Sequence, residues 1–209
     1  MNGKQKIFHI THISNLPSIL ANSGLFPDSA MRAAGRSHTR IGYEHIKQRR
    51  LSRPVSTAEK GFLGDYVPFN FCPRSVMLYV ISTGSVDGYE GGQGDVVHLV
   101  STVQTAIDSG EPWTFTDRHA ELGYARYFQS KDGLKHVDWD VMPLKQWGGA
   151  GNDDIKEKRQ AEFLVHRFFP WKSIVQIGVV SSTIAAAVNK LIRTSSHQPD
   201  VLIEPKWYY

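Results

Sequence analysis

A few side chains in this sequence combine residue type and setting in ways that could do chemistry. Glu162 opens the apolar run EFLVHRFF over residues 162–169. A carboxylate beside Phe163 and Leu164 is costly to bury unless something uses its charge. An exposed strand end is the plain alternative, and the local pattern leaves both open. Arg50 closes the stretch 42–50, in which Tyr43, Ile46 and Arg50 stand at i, i+3 and i+7 and so share one helix face. With Ile46 turned to the interior, Arg50 turns inward too. An inward arginine at a helix end pairs with a carboxylate or with a ligand phosphate. Its neighbour Arg49 points about 100° away, toward solvent or a nucleic acid. On the strand-like segment 6–13, His9 and Thr11 share a face. An imidazole, a hydroxyl and open backbone groups could grip a polar ligand there, although a half-exposed edge strand reads the same way. The HxxH spacing of His9 and His12 is not read as a metal site, because a strand sends those rings to opposite faces.

The elements that must position these groups follow from periodicity. KIFHITHI over 6–13 alternates as a strand does. A short helix follows over 15–23, with Ser14 or Asn15 as its cap, Pro17 in its first turn and Gly24 as its stop. Residues 27–41 read as a polar loop, 42–50 as a helix and 52–65 as a second loop. YVPFNFC over 66–72 reads as a strand, and Pro73 opens a helix over SVMLYVIS. GGQG at 91–94 is a turn before a strand at 95–100. A helix at 103–109 and a strand at 113–116 follow. Residues 120–155 are irregular and aromatic, ending in the loop 148–154. Strands at 162–169, 174–180 and 201–205 surround the clearest helix, 182–193, whose stripe is Ile184, Val188, Leu191 and Ile192. Short strands with scattered short helices predict an α+β fold in one domain over 1–209.

Composition narrows the function classes. In 209 residues, 41% hydrophobic and 21% charged side chains exclude a disordered, collagen-like or coiled-coil chain. No apolar run reaches about 18 residues, so no membrane span is expected. The start, MNGKQKIFHITH, lacks the apolar core of a secretory signal, and the single cysteine, Cys72, fits a reducing compartment. A cytoplasmic location is expected on both grounds. There is no GxxxxGK[ST], no GxGxxG and no GxSxG. The net charge is +4, and residues 31–60 carry eight Lys/Arg against Glu44 and Glu59. A basic block spaced by Ser, Gly and His points to an anionic partner, or else to a solvated helix face.

Eight ordered segments together resemble the DarT family of DNA ADP-ribosyltransferase toxins. They are HITHISNLPSIL at 9–20, IGYEHIKQRR at 41–50, DYVPFNFCPRSVMLY at 65–79, GGQGDVVHLVS at 91–101, FTDRHAEL at 115–122, KRQAEFLV at 158–165, FPW at 169–171 and WYY at 207–209. Residues 123–157 carry the resemblance least. It implies an ADP-ribosyltransferase-like fold with a split central sheet, short helices and an NAD-binding cleft. It implies transfer of ADP-ribose from NAD⁺ to a base of single-stranded DNA, thymidine being the implied acceptor, with nicotinamide released and no metal required. It also implies a cognate macrodomain antitoxin, DarG, that removes the mark. By this resemblance Glu162, Arg50 and His119 are the catalytic positions. His9, Ile10, Thr11, Ser18, Phe26 and Arg50 contact NAD⁺, although Ser18 and Phe26 differ in side chain from the family. Arg49, Arg53 and Arg74 are assigned to the DNA. Residues 34–53 correspond to a cofactor-covering element and 119–162 to a substrate-recognition loop. Asn70 stands where similar members carry an aromatic.

The chemistry is consistent with these assignments. Breaking the nicotinamide bond develops an oxocarbenium-like ribose, which a facing carboxylate stabilises. An arginine, with a pKa above about 12, helps electrostatically rather than as a free base. The basic segment would supply phosphate contacts. Trp113, Tyr124, Tyr127, Phe128, Trp139 and Trp147 are candidates for stacking on bases, with core packing as the alternative. Transfer to RNA or protein, and a catalytically silent nucleic-acid-binding module, are the competing readings.

Overall fold

The computed structural model describes residues 3–57 and 60–209. Its frame is an eight-stranded sheet in the order β10-β9-β4-β1-β3-β7-β5-β6. Those strands are β1 (Lys6–His12), β3 (Tyr66–Asn70), β4 (Val96–Thr102), β5 (Trp113–His119), β6 (Tyr127–Phe128), β7 (Ala161–His166), β9 (Gln176–Val179) and β10 (Asp200–Ile203). Two short strands, β2 (Gly24–Leu25) and β8 (Phe169–Pro170), pair separately. All pairings are antiparallel except β9 with β10, which α7 (Ser182–Ile192) connects. The sheet is uneven along its width. β1 pairs with β4 from Lys6↔Thr102 to His12↔Val96, yet it meets β3 only at Phe8↔Asn70. β3 then runs beside β7 from Tyr66↔His166 to Asn70↔Glu162. One rung therefore joins two half-sheets, and the strands part beyond it.

Alternation decides what each strand buries. On β7, Ala161, Phe163 and Val165 enter the main core with Phe69, Phe71 and Phe115. Glu162 and Leu164 face the other way, where Leu164 packs with Val55, Leu63 and Tyr66. The helices are α1 (Leu16–Ala21), α2 (Asp28–Ala33), α3 (Glu44–Ser52), α4 (Val76–Ser82), α5 (Val103–Asp108), α6 (Asp153–Arg159) and α7. Side chains cap three of them: Ser75 Oγ accepts from Leu78 N, Thr102 Oγ1 from Thr105 N and Ser181 Oγ from Ile184 N. α7 buries Val188 and Ile192, as its stripe predicts. α3 buries no residue at all.

Several expectations are corrected. The segment 27–41 contains α2, which starts after Pro27 with Asp28 in its first turn. Gly24 does not stop α1. Ser23 takes the left-handed turn at φ 55°, while Gly24 sits in β2, where a Cβ would come within 2.3 Å of Phe169 O. Asn15 makes no capping bond; its amide is used elsewhere. Asp153 and Asp154 open α6 rather than ending a loop.

Candidate active site

A cavity of about 320 Å³ opens where β1 and β3 diverge. The sheet side presents His9, Ile10 and Thr11 from β1, Pro68 and Asn70 from β3, and Glu162 from β7. The opposite side is made by the end of α1 with Ser18, by Phe26 and Asp28, by residues 38–43, and by Ile46, Lys47 and Arg50 of α3. His119 closes the end next to Glu162. The residues assigned to catalysis and to NAD⁺ thus all line one cavity. Arg49, Arg53 and Arg74 do not line it.

Glu162 is buried rather than at an exposed strand end, and what holds it is Arg50. Two parallel bonds run from Arg50 Nη1 to Oε1 at 3.1 Å and from Nη2 to Oε2 at 3.0 Å. Both side chains are nearly sealed, at 11% and 9% exposure. Burial is the largest influence on Glu162 and pushes its carboxyl up. The charge and bonds of Arg50, the nearby His119 and the Ala120 amide together outweigh it, so the carboxyl lies below its usual range. Burial likewise pushes Arg50 down, and Glu162 more than restores it, so the guanidinium lies above its usual value. The pair is thus fully ionised in a largely dry site. Close by, Tyr127 is pushed up to about 12 by burial and by the Glu162 charge.

The strands fix this geometry from beneath. A bulge in the β5–β7 pairing falls between Phe115 and His119 and sets His119 opposite Ala161. Within it, Thr116 Oγ1 accepts a bond from Glu162 N at 3.1 Å. Asn70 is the direct ladder partner of Glu162. His9 Nδ1 lies 2.8 Å from Pro68 O, across the gap between the half-sheets. Burial dominates at His9 and holds its imidazole below the usual value despite that bond, so the ring is neutral at neutral pH. With Nδ1 donating to the carbonyl, Nε2 is left as an acceptor.

The far side is held by ions. Lys47 Nζ lies 3.0 Å from Asp28 Oδ1 and 3.4 Å from His38 Nε2. Glu44 binds Arg32 at 2.5 Å and Arg40 at 2.9 Å. Arg49, 59% exposed, meets Glu121 at 2.8 Å. Much of the basic block is therefore neutralised within the fold, while Arg36, Arg53 and Lys60 have no carboxylate partner among the described residues. Arg36 lies over the Phe26 ring, 5.1 Å from its centroid. Arg74 packs on the Tyr209 ring at 4.2 Å. Of the six aromatics proposed for stacking, Trp113 stacks on Phe163, Phe128 on Phe115, Trp139 packs on Phe71, Trp147 is buried, and Tyr127 bonds the Ala120 carbonyl. Only Tyr124 is open, at 60% exposure, with its hydroxyl on Glu157.

Sequence reading missed Asn15, Asp28, His38 and Lys47 as cavity residues. Asp28 and Lys47 are 19 positions apart and joined by no periodicity. Lys47 and His38 lie within the 34–53 element expected to cover the cofactor, whereas Asp28 lies outside both that element and the basic block. The donor set suits a dinucleotide: cations for phosphates on one side, imidazole, hydroxyl and carboxylate for ribose hydroxyls on the other. No group of three or more His, Cys, Asp or Glu among the described residues is placed to hold a metal ion. No described helix is long and apolar enough to cross a membrane.

A sheet split beside a cleft, with a buried carboxylate–arginine pair on its floor, is the arrangement that the resemblance to ADP-ribosyltransferases implies. The family model described as DarT, ssDNA thymidine ADP-ribosyltransferase, matches residues 8–209, and the chain belongs to that family. A DNA ADP-ribosyl transferase of Thermus aquaticus is 40% identical over 205 residues, covering 97% of this chain and 88% of the relative. The structure of Thermus sp. 2.9 DarT in complex with ADP-ribosylated ssDNA superposes with a TM-score of 0.92 at 39% identity, covering 99% of this chain and 97% of that one. The same Thermus protein in complex with NAD⁺ gives a TM-score of 0.87 at 36% identity, covering 99% and 98%. The protein is an NAD⁺-dependent DNA ADP-ribosyltransferase with the α+β fold of its class.

Proposed function

We propose that the acceptor is thymine in single-stranded DNA and that Glu162 and Arg50 carry the transfer. The observation that supports this reading is the ionised Glu162–Arg50 fork on the cavity floor, in the same cavity as His9 and Thr11. Glu162 binds the nicotinamide-side ribose and faces the cation that develops at C1″, where a fixed negative charge counts most. The glycosidic bond to nicotinamide breaks and its electron pair leaves with nicotinamide. A ring nitrogen of thymine forms the new bond to C1″ and loses its proton to solvent water. In thymidine only N3 carries a hydrogen, so N3 is the acceptor atom. Arg50 remains charged, orients Glu162 and stabilises the base as that proton departs. His119, at the same end of the cavity, is the third residue assigned to the reaction.

On the cofactor side, His9, Ile10 and Thr11 hold the nicotinamide half against β1. Ser18 and Phe26 border the other half, and residues 34–53 cover it. Arg49 and Arg53 meet DNA phosphates outside the cleft, Arg74 serves the strand farther out, and residues 119–162 read the acceptor. The relatives support single-stranded DNA as partner: the Thermus protein is seen with ADP-ribosylated ssDNA. We further assign a DarG-like macrodomain antitoxin as the partner that removes the mark, and a cytoplasmic location beside the DNA.

The test is incubation with labelled NAD⁺ and separate pools of single-stranded DNA, RNA and protein. Label should enter DNA only, and only oligonucleotides containing thymine. Label in RNA or protein, or in thymine-free DNA, overturns the assignment of the acceptor.

A further inference from the structure

The cavity side opposite the sheet includes residues 38–43, an extended stretch between α2 and α3. Its backbone has little regular support. The last main-chain bond leaving α2 is Arg36 N to Met31 O, and the next begins at Lys47 N to Tyr43 O. Between them the side chain of Ile41 packs with Leu78 and Ile81, but the main chain is gripped at one residue. Asn15 Nδ2 donates to Thr39 O at 2.9 Å, and Thr39 N donates to Asn15 Oδ1 at 2.8 Å. This is the two-bond exchange that one strand makes with another, made here by a side-chain amide. Asn15 is itself fixed: it is 8% exposed, and Nδ2 also donates to Thr11 Oγ1 at 3.1 Å. Ser14 Oγ adds a contact to Thr39 Oγ1 at 2.7 Å.

We infer that Asn15 is a positioning residue for NAD⁺: it clamps the main chain of Thr39 and so holds residues 37–43 as a wall of the cavity. The argument rests on the reading of that cavity as the NAD⁺ site. The amide is the right group for this task, since only Asn and Gln present a donor and an acceptor side by side, and Gln would push the loop outward by one methylene. The position next to α1 explains why no helix cap is made: the side chain cannot serve both. Because Asn15 also binds Thr11, the clamp ties the wall to the pocket-facing hydroxyl of β1. Fixing the wall in advance lowers the ordering cost when ligand binds. It leaves the Glu162–Arg50 fork untouched. Loss of the clamp should therefore weaken NAD⁺ binding with little effect on turnover once NAD⁺ saturates.

The experiment has three arms on the full chain. Asn15→Ala should raise the Kd and KM for NAD⁺ about tenfold, roughly the worth of one to two net hydrogen bonds, with kcat on single-stranded DNA close to that of the parent. In the ligand-free protein, trypsin should cut after Arg36 and Arg40 several times faster in Asn15→Ala than in the parent, while cleavage elsewhere stays the same. Ser14→Ala, which removes only the Thr39 hydroxyl contact, should move both readouts much less. In the unaltered protein, the Thr39 amide should exchange its hydrogen about tenfold more slowly than those of Ser37 and Arg40. That arm needs no variant and survives a misfolded Asn15→Ala. Unchanged cleavage and Kd, a Ser14→Ala effect as large as that of Asn15→Ala, or a Thr39 amide as fast as its neighbours would each overturn the clamp. Failure of the parent protein to bind NAD⁺ would instead overturn the cofactor reading, with the cleavage and exchange arms still deciding the clamp.

Discussion

The two sides of the cavity are built by different physics. The sheet side carries His9, Thr11, Asn70 and Glu162 on strands whose every neighbour is set by backbone ladders and by the buried phenylalanines beneath. Beside the apolar anchor Ile41, which packs with Leu78 and Ile81, the α2–α3 side is held by Asp28–Lys47, Glu44 with Arg32 and Arg40, and the Asn15–Thr39 bonds. Exposed ion pairs of this kind add little to stability and weaken with salt. Reaction chemistry thus sits on the side held by ladders and core, and the opposite wall on the side held largely by ion pairs and a side-chain amide. Arg50 crosses between them: it belongs to α3 by sequence and to the floor by its bonds.

Glu162→Gln tests the floor most severely. It should lower transfer to single-stranded DNA by about 10²–10³-fold while the fold persists. Rates near those of the parent would remove Glu162 from the reaction. Arg50→Ala and Arg50→Lys come next, because they cut the link between the sides. Removing one partner of a buried pair costs about 3–5 kcal/mol, so Arg50→Ala should also lower the melting temperature, and Arg50→Lys less so. If Arg50 serves the acceptor base, NAD⁺ affinity survives in both variants and single-turnover transfer collapses. A loss of NAD⁺ affinity large enough to account for the lost transfer would make Arg50 a cofactor clamp instead.

A third test separates the floor's rigidity from its chemistry. His98 on β4 is fully buried, 3.0 Å from Pro73 O and 3.2 Å from the Tyr208 hydroxyl. Burial pulls it down to about 4 from 6.5, against the Pro73 bond. The folded state resists protonation that the unfolded state accepts. Stability is therefore complete above about pH 6.5 and declines as pH falls toward 4, by about 3 kcal/mol in all. His98→Gln should flatten that decline in denaturant titrations at pH 7, 5.5 and 4.5; an equal decline in the variant would assign it to other groups. The smallest effect is expected outside the cleft. Arg49→Ala with Arg53→Ala should weaken DNA binding and reduce its salt slope by roughly one for each lost phosphate contact, leaving NAD⁺ affinity as it was. An unchanged slope would mean that these charges only solvate the surface, as the Arg49–Glu121 bond already permits.

What the sequence discloses divides along the same line. α7 is legible because its apolar period matches its burial, β1 and β7 as short apolar runs even though Ile7 and Phe8 are both buried and all of β7 is, and α3 because Tyr43, Ile46 and Arg50 share a face, all three of which line the cavity. The pairing of Arg50 with Glu162, 112 positions away, is not legible from any local pattern; the family resemblance supplied both residues, but not their bond. α2 is missed because six residues framed by polar neighbours give too little period to see. The aromatics of 113–147 misled for the opposite reason: stacking surface and core look alike in composition, and only the fold shows that five of the six are packed inside or bonded to the backbone.

The single rung between β1 and β3 has a bearing on how the molecule comes into being. The two ladders that flank this rung, β1–β4 and β3–β7, are not built from neighbouring strands. Lys6 must find Thr102, and Asn70 must find Glu162, so each of these two ladders closes a loop of some ninety residues before it forms. Such non-local topology folds slowly, with loop-closure entropy lost before contacts repay it. During synthesis β3 waits unpaired until β7 emerges, and β7 brings the carboxylate of the active centre with it. Assembly of the second half and arrival of the reactive group are one event, and a chain stopped short of residue 162 lacks both.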